Sequence, residues 1–110
     1  MTRTFIQTKE FSKNWEELGY SDEDLRRLEL EIMKNPKAGE VIPETGKLRK
    51  LRFTAINKGK SGGVRVCYVD FRVYDTIYLI TVYAKKEKEN LSMRECHNIR
   101  NAIRLLEKSL

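Results

Sequence analysis

Val64-Arg-Val-Cys-Tyr-Val-Asp-Phe71, followed after a short break by Thr76-Ile-Tyr-Leu-Ile-Thr-Val-Tyr-Ala84, is the stretch that decides the fold. Both runs are rich in β-branched and aromatic side chains, which pack well on a pleated, half-buried surface. Tyr74-Asp75 supplies a turn between them, since aspartate readily bonds its own backbone there. Just upstream, Leu48–Thr54 alternates, with Lys50 and Arg52 projecting one way and Arg49, Leu51 and Phe53 the other. The basic, glycine-rich segment Asn57-Lys58-Gly59-Lys60-Ser61-Gly62-Gly63 separates this run from Val64. Three strands in this order are most simply a consecutive antiparallel meander.

Outside the meander the pattern turns helical. Thr2–Gln7 alternates weakly and reads as a first strand. Phe11, Trp15 and Leu18 then recur at helical spacing, predicting a short helix over about Lys9–Leu18 that Gly19 ends. Ser21 is a good N-cap, and Asp22, Glu23 and Asp24 fill a first turn where the helix dipole favours anions. Leu25, Leu28 and Ile32 form the stripe of this second helix, which Asn35-Pro36 stops. Pro36–Gly46 reads as a loop. Leu91–Leu110 closes the chain as a helix, with Ser92 and Glu95 in a capping box and Cys96, Ile99, Ile103 and Leu106 facing the core. The expected architecture is a single α+β domain over residues 1–110, in the order β-α-α-β-β-β-α. It has a mainly antiparallel sheet, with helices on one face and the opposite face or its rim free.

Charge is unevenly spread. Lys47–Lys88 holds 11 Lys and Arg against 3 Asp and Glu, while the segments on either side nearly cancel, so the net +6 is concentrated on the expected sheet. A rigid surface that gathers cations suits a polyanion held in fixed register. The longest apolar run, within Ile77–Ala84, is far shorter than the ~20 residues of a membrane span, and Met1–Thr8 lacks an apolar signal core. A cytoplasmic location, with no membrane partner, is expected. Cys67 and Cys96 lack metal-ligand spacing and read as buried, apolar thiols.

The chain carries no G-x-S-x-G, no P-loop and no metal-ligand cluster. His97, the single histidine, falls on the polar side of the last helix and reads as solvated; Asp70 and Asp75 border a turn. What remains is a set of Lys, Arg and Tyr. Lys50 and Arg52, at i and i+2, emerge about 7 Å apart on one face, close to the spacing of successive phosphates. Arg65 follows Gly62-Gly63, where the lack of side chains lets a ligand backbone approach. Tyr83 and Lys85 share a face near the end of the last strand, with Lys86 and Lys88 beyond. Arg49, Lys58, Lys60 and Lys88 are further candidates for holding such a polyanion. The plain alternative is that strand lysines only solubilise edges, and it weighs most for Lys58, Lys60, Lys86 and Lys88. It weighs least for Arg65, because an arginine in an apolar strand needs a partner.

The run Leu48-Arg-Lys-Leu-Arg-Phe53, then Gly59-Lys-Ser-Gly-Gly-Val-Arg-Val-Cys-Tyr68, then Tyr78-Leu-Ile-Thr-Val-Tyr-Ala-Lys-Lys-Glu-Lys-Glu-Asn-Leu-Ser92 resembles the RelE/HigB group of bacterial toxins, the HigB branch most closely. The resemblance spans the whole domain and the order of its elements. It implies the toxin of a type II toxin–antitoxin system, acting as a ribosome-dependent mRNA endonuclease (an mRNA interferase) that inhibits translation. It implies as partners a message in the ribosomal A site and a cognate antitoxin carrying a helix-turn-helix. No cofactor or metal is expected. Lys50 and Arg52 match the family's basic pair, Arg65 the arginine after the glycine turn, and Lys85 or Lys86 the basic position at the last strand's end. The chain departs from the RelE pattern in having no tyrosine in its C-terminal helix; Tyr83 is the nearest substitute.

The chemistry that fits is attack of an RNA 2′-hydroxyl on the adjacent phosphate. Arg65 would stabilise the charge that builds on the phosphate oxygens, where losing such a donor costs ~3 kcal/mol or more. Lys50 and Arg52 would hold the backbone in line. A lysine near ~10.4 is a poor base unless neighbouring cations lower that value, so Lys50, Lys85 or Tyr83 compete for the proton-transfer roles. Such a group would be slow on free RNA, and a ribosome that orients the message would supply alignment worth several kcal/mol. Two rival readings keep the scaffold and drop the cleavage: a ParE-like toxin of DNA gyrase, and a non-catalytic RNA-binding module.

Overall fold

The computed structural model of the chain describes residues 2–55 and 63–110. Its elements are β1 (Thr4–Gln7), α1 (Lys9–Glu17), α2 (Asp22–Lys34), β2 (Glu40–Val41), β3 (Arg49–Phe53), β4 (Val64–Phe71), a single 3₁₀ turn (Arg72–Tyr74), β5 (Thr76–Ala84) and α3 (Met93–Lys108). The α+β class and the order of elements are as the sequence predicts. The strands form one sheet in the order β1-β5-β4-β3-β2. The β3-β4-β5 meander is antiparallel, and β1 joins it parallel to β5.

The helix starts follow from their caps. Thr8 accepts from the Phe11 amide, while Ser21 and Ser92 each form a reciprocal capping box, with Asp24 and Glu95 respectively. Within the predicted loop Pro36–Gly46, Glu40–Val41 adds a short edge strand, pairing with Lys50 and Arg49. Gly39 permits it: a Cβ there would lie 2.9 Å from the Lys50 carbonyl oxygen. The Tyr68 hydroxyl fixes the same loop, donating to the Pro36 carbonyl at 2.8 Å and accepting from the Gly39 amide at 3.1 Å.

Helices cover both faces of the sheet, so the expectation of one helical face holds only for α1 and α2. Val64, Val66 and Tyr68 pack with Phe11, Trp15, Leu28 and Ile32 on one side. Cys67, Val69 and Phe71 pack with Ile103, Ile99 and Leu106 of α3 on the other. The reason lies in β4 itself, where successive residues from Val64 to Val69 are all buried, so neither face of that strand is left to water. Each large aliphatic side chain so enclosed contributes about 1.5–3 kcal/mol. Cys67 and Cys96 are buried thiols, as expected.

β5 carries a β-bulge: Tyr68 pairs with Leu79 but Cys67 with Thr81, leaving Ile80 as an extra residue. Beyond Leu79, β5 has no strand neighbour on the β1 side, because β1 stops at Gln7. α1 closes that edge instead. Thr8 Oγ1 donates to the Ile80 carbonyl (2.6 Å) and Asn14 Nδ2 to the Val82 carbonyl (3.2 Å). At the other end, the Arg3 guanidinium is buried against Asp70, at 2.8 and 3.3 Å, and ties the start of the chain to β4. Asp70 thus serves a structural ion pair. Among the described residues, no helix is long and apolar enough to cross a membrane.

Candidate functional site

The face of the meander that carries α3 is not wholly covered by it. Past the N-terminal end of α3, the register places Arg52 of β3 opposite Arg65 of β4, and Arg65 opposite Tyr83 of β5. Lys50 sits one step along, opposite Cys67. Paired residues project to the same side of a sheet, so the cross-strand row Arg52-Arg65-Tyr83 and the adjoining Lys50 share one surface. Lys50, Arg52 and Arg65 line a cleft of about 340 Å³, together with Glu40 and Glu89.

Arg65 is 2% exposed, an arginine set into an apolar strand. Its Nη2 lies 3.6 Å from Glu89 Oε1, and its Nη1 donates to the Val64 carbonyl at 3.4 Å. Glu89 is more than half exposed, so this ion pair reaches from the buried strand to the solvent rim. Lys50 Nζ donates to Asn90 Oδ1 at 3.0 Å. Lys88 Nζ stands 5.1 Å above the Tyr83 ring and donates to Glu95 Oε2 at 2.6 Å. Three successive residues, Lys88 to Asn90, therefore each touch a member of the cluster. Bonds from Lys88 and from the Ser92 amide hold the Glu95 carboxyl below the usual range.

The other predicted residues divide. Lys88 belongs to the cluster's border. Lys85 and Lys86 are exposed on the turn after β5, and neither lines the cleft; the Lys85 amide donates to the Gly63 carbonyl, keeping that turn beside the start of β4. Arg49 faces the α1–α2 side, opposite Tyr68, where its Nη1 donates to the Gly39 (2.8 Å) and Lys37 (3.3 Å) carbonyls. It is engaged in holding β2 and stands apart from the cluster. Lys58 and Lys60 lie outside the described residues.

Tyr83 departs from its expected role. Its side chain is 6% exposed and its hydroxyl is buried beside the Cys67 thiol. Burial pushes that hydroxyl well above its ordinary range, and pushes the Cys67 thiol up to about 12. The ring lies under Lys88, with its hydroxyl turned into the core. His97 is exposed, as the sequence predicts.

Glu89, Asn90 and Glu40 are the site residues that the sequence reading passed over. Their signal is present in Lys85-Lys-Glu-Lys-Glu-Asn90, where carboxylates and an amide interrupt a cationic run at the exit of a strand. A larger groove, about 730 Å³, runs between α1 and α3 and shares Tyr83 and Lys88. Its rim mixes Lys9 and Lys13 with Glu10, Glu17 and Glu87, so it lacks the cationic bias of the cleft.

Residues 2–109 match the family model described as the RelE toxin of the RelE/RelB toxin–antitoxin system. Among solved structures, the chain is similar to an E. coli RelE toxin double mutant in the free state, with a TM-score of 0.59 at 20% identity, covering 81% of this chain and 90% of that one. It is also similar to a chain of the intact E. coli RelBE toxin–antitoxin complex, with a TM-score of 0.52 at 21% identity, over 74% of this chain and 94% of that one. At such identities the structures speak for the fold, and the family model, which spans nearly every residue, speaks for kinship. The chain belongs to the RelE toxin family.

Proposed function

We propose that this protein is the toxin of a type II toxin–antitoxin system and a ribosome-dependent mRNA endonuclease, neutralised by a cognate antitoxin that carries a helix-turn-helix. The observation that carries the reading is the meeting of Lys50, Arg52 and Arg65 from two neighbouring strands around one cleft. A single ribose-phosphate link needs such a cradle. Arg65, fixed by burial, is positioned to stabilise charge on the phosphate oxygens, and a preorganised donor of this kind is among the largest contributors to catalysis. Lys50 and Arg52, on one strand face, hold the flanking backbone. The nucleophile is the substrate's own 2′-hydroxyl, so the reaction requires no metal. Lys85 and Lys86, on the neighbouring turn, and Lys88 at the border extend the cationic field along the bound strand, with Lys58 and Lys60 as further contacts. A message presented in the ribosomal A site arrives already oriented, which lowers the demand on the protein. The antitoxin proposal is supported by the similarity to a chain of the RelBE complex.

Primer extension on a translated message tests the proposal, after induction of the wild type and of Arg65→Ala. Cuts in phase with the ribosome are expected for the wild type and not for a folded Arg65→Ala protein. A wild type that produces no new 5′ ends, or a variant that cuts equally well, would reject it.

A further inference from the structure

Attack by a 2′-hydroxyl requires a proton acceptor, and the cations of the cleft do not supply one. Arginine has no acceptor and stays protonated. Lys50 is engaged with the Asn90 side chain. The Tyr83 hydroxyl is buried and protonated, and His97 is absent from the lining of the cleft. Glu89 has what these lack. It lines the cleft, its carboxylate lies 3.6 Å from the guanidinium of Arg65, and its side chain is 54% exposed and thus open to a substrate.

We infer that Glu89 is the general base of the reaction, taking the proton from the 2′-hydroxyl while Arg65 holds the adjacent phosphate. The inference rests on the endonuclease reading above. The 2′ oxygen is linked through one ribose to the phosphate it attacks, so an acceptor beside the phosphate's arginine is beside the nucleophile too. The 2′ proton passes to a carboxylate oxygen, the O2′–P bond forms and the P–O5′ bond breaks. The departing 5′ oxygen takes a proton from solvent, leaving a 2′,3′-cyclic phosphate and a 5′-hydroxyl, and Glu89 returns its proton to solvent.

The position of Glu89 is set by its neighbours in sequence. Asn90 is tied to Lys50, and Lys88 to the Tyr83 ring and Glu95. The capping box of Ser92 and Glu95 then fixes the entry to α3. The charged groups around the carboxylate are Arg65 on β4, Lys50 and Arg52 on β3, and Glu40 on β2, so cations outnumber the one competing anion.

Single-turnover cleavage of a ribosome-bound message tests this with wild-type protein, Glu89→Gln and Glu89→Ala, folding being checked by circular dichroism. Both variants should be slower by about 10²–10⁴-fold, the usual contribution of a general base. Added formate should restore part of the Glu89→Ala rate and leave the wild type unchanged. Glu89→Gln cleaving at or above the wild-type rate would overturn the inference, making Glu89 merely an internal anion over Arg65. So would a slowed Glu89→Ala that ignores formate, since the carboxylate would then act only by holding Arg65. Absence of cleavage by the wild type would reject the endonuclease reading itself and, with it, this role.

Discussion

Replacing Arg65 by methionine separates what the residue does for folding from what it does for function. Methionine keeps most of the length and apolar volume of the side chain and discards the guanidinium. Removing one partner of a buried ion pair is ordinarily costly, about 3–5 kcal/mol, because the other charge is stranded in the interior. Here one stranded partner would be Glu89, which is more than half exposed and readily solvated, while the Val64 carbonyl would lose a donor. The Arg65 side chain is only 3% exposed, so removing its charge relieves a desolvation penalty. These effects oppose one another, and the loss of folding free energy should stay below about 2 kcal/mol. Cleavage should nonetheless fall by about 10²–10³-fold, the loss that follows removal of one preorganised donor. Urea unfolding supplies the stability arm. Trp15, the single tryptophan, is 5% exposed between Phe11, Tyr20 and Phe53, and its fluorescence reports the core directly. Primer extension supplies the activity arm. A loss of more than about 2 kcal/mol would show that Arg65 is chiefly structural, and undiminished cleavage would remove it from the chemistry.

Tyr68→Phe should lower stability by about 1–3 kcal/mol, since it strands the buried Gly39 amide and removes a donor from the part-buried Pro36 carbonyl. The same urea titration would show it, and an unchanged midpoint would mean that water replaces the hydroxyl. Glu95 gives a pH dependence. Its carboxyl is held below the usual range by Lys88 and the Ser92 amide, so the unfolded chain binds its proton more readily. The stabilisation is therefore present above the unfolded value, about 4.3, and is lost as pH falls through the lower folded one. Melting temperatures of Glu95→Gln should decline less than those of the wild type across that acid range, and parallel declines would contradict the assignment.

The strands that decide the fold were readable because their chemistry is local. Val64–Phe71 and Thr76–Ala84 occur with the boundaries their composition predicts, and Ser21 and Ser92 cap the helices their side chains suggest. The position of α3 was harder to foresee, because an amphipathic stripe states that a helix has a buried face and not which layer receives it. The unbroken burial of β4 held the clue: Cys67 and Val69 need cover as much as Val66 and Tyr68 do. Two residues of edge strand, Glu40–Val41, leave no periodicity to detect, and they exist through Gly39 and the Arg49 guanidinium. In the site, strand alternation sufficed to bring Lys50 and Arg52 together and to set Arg49 apart. The contacts of Glu89 and Asn90 depend on where a connection folds back, which no local rule specifies. The fate of Tyr83 was hidden for a related reason, since its hydroxyl meets Cys67 of the neighbouring strand and its ring lies under Lys88 of the following connection.

The parallel pairing of β1 with β5 has a consequence for the order in which the chain can assemble. Thr8 waits for Ile80, 72 positions downstream, before the edge is closed. Closing so large a loop costs entropy that local contacts must first offset, and topologies of this kind fold slowly for their size. A polypeptide emerging from its own ribosome can form α1 and α2 early, but the β1 contacts have nothing to dock on until the β4–β5 hairpin has cleared the exit tunnel. The cluster of Arg52, Arg65 and Lys50 is completed later still, because Glu89 and Asn90 follow that hairpin in the chain.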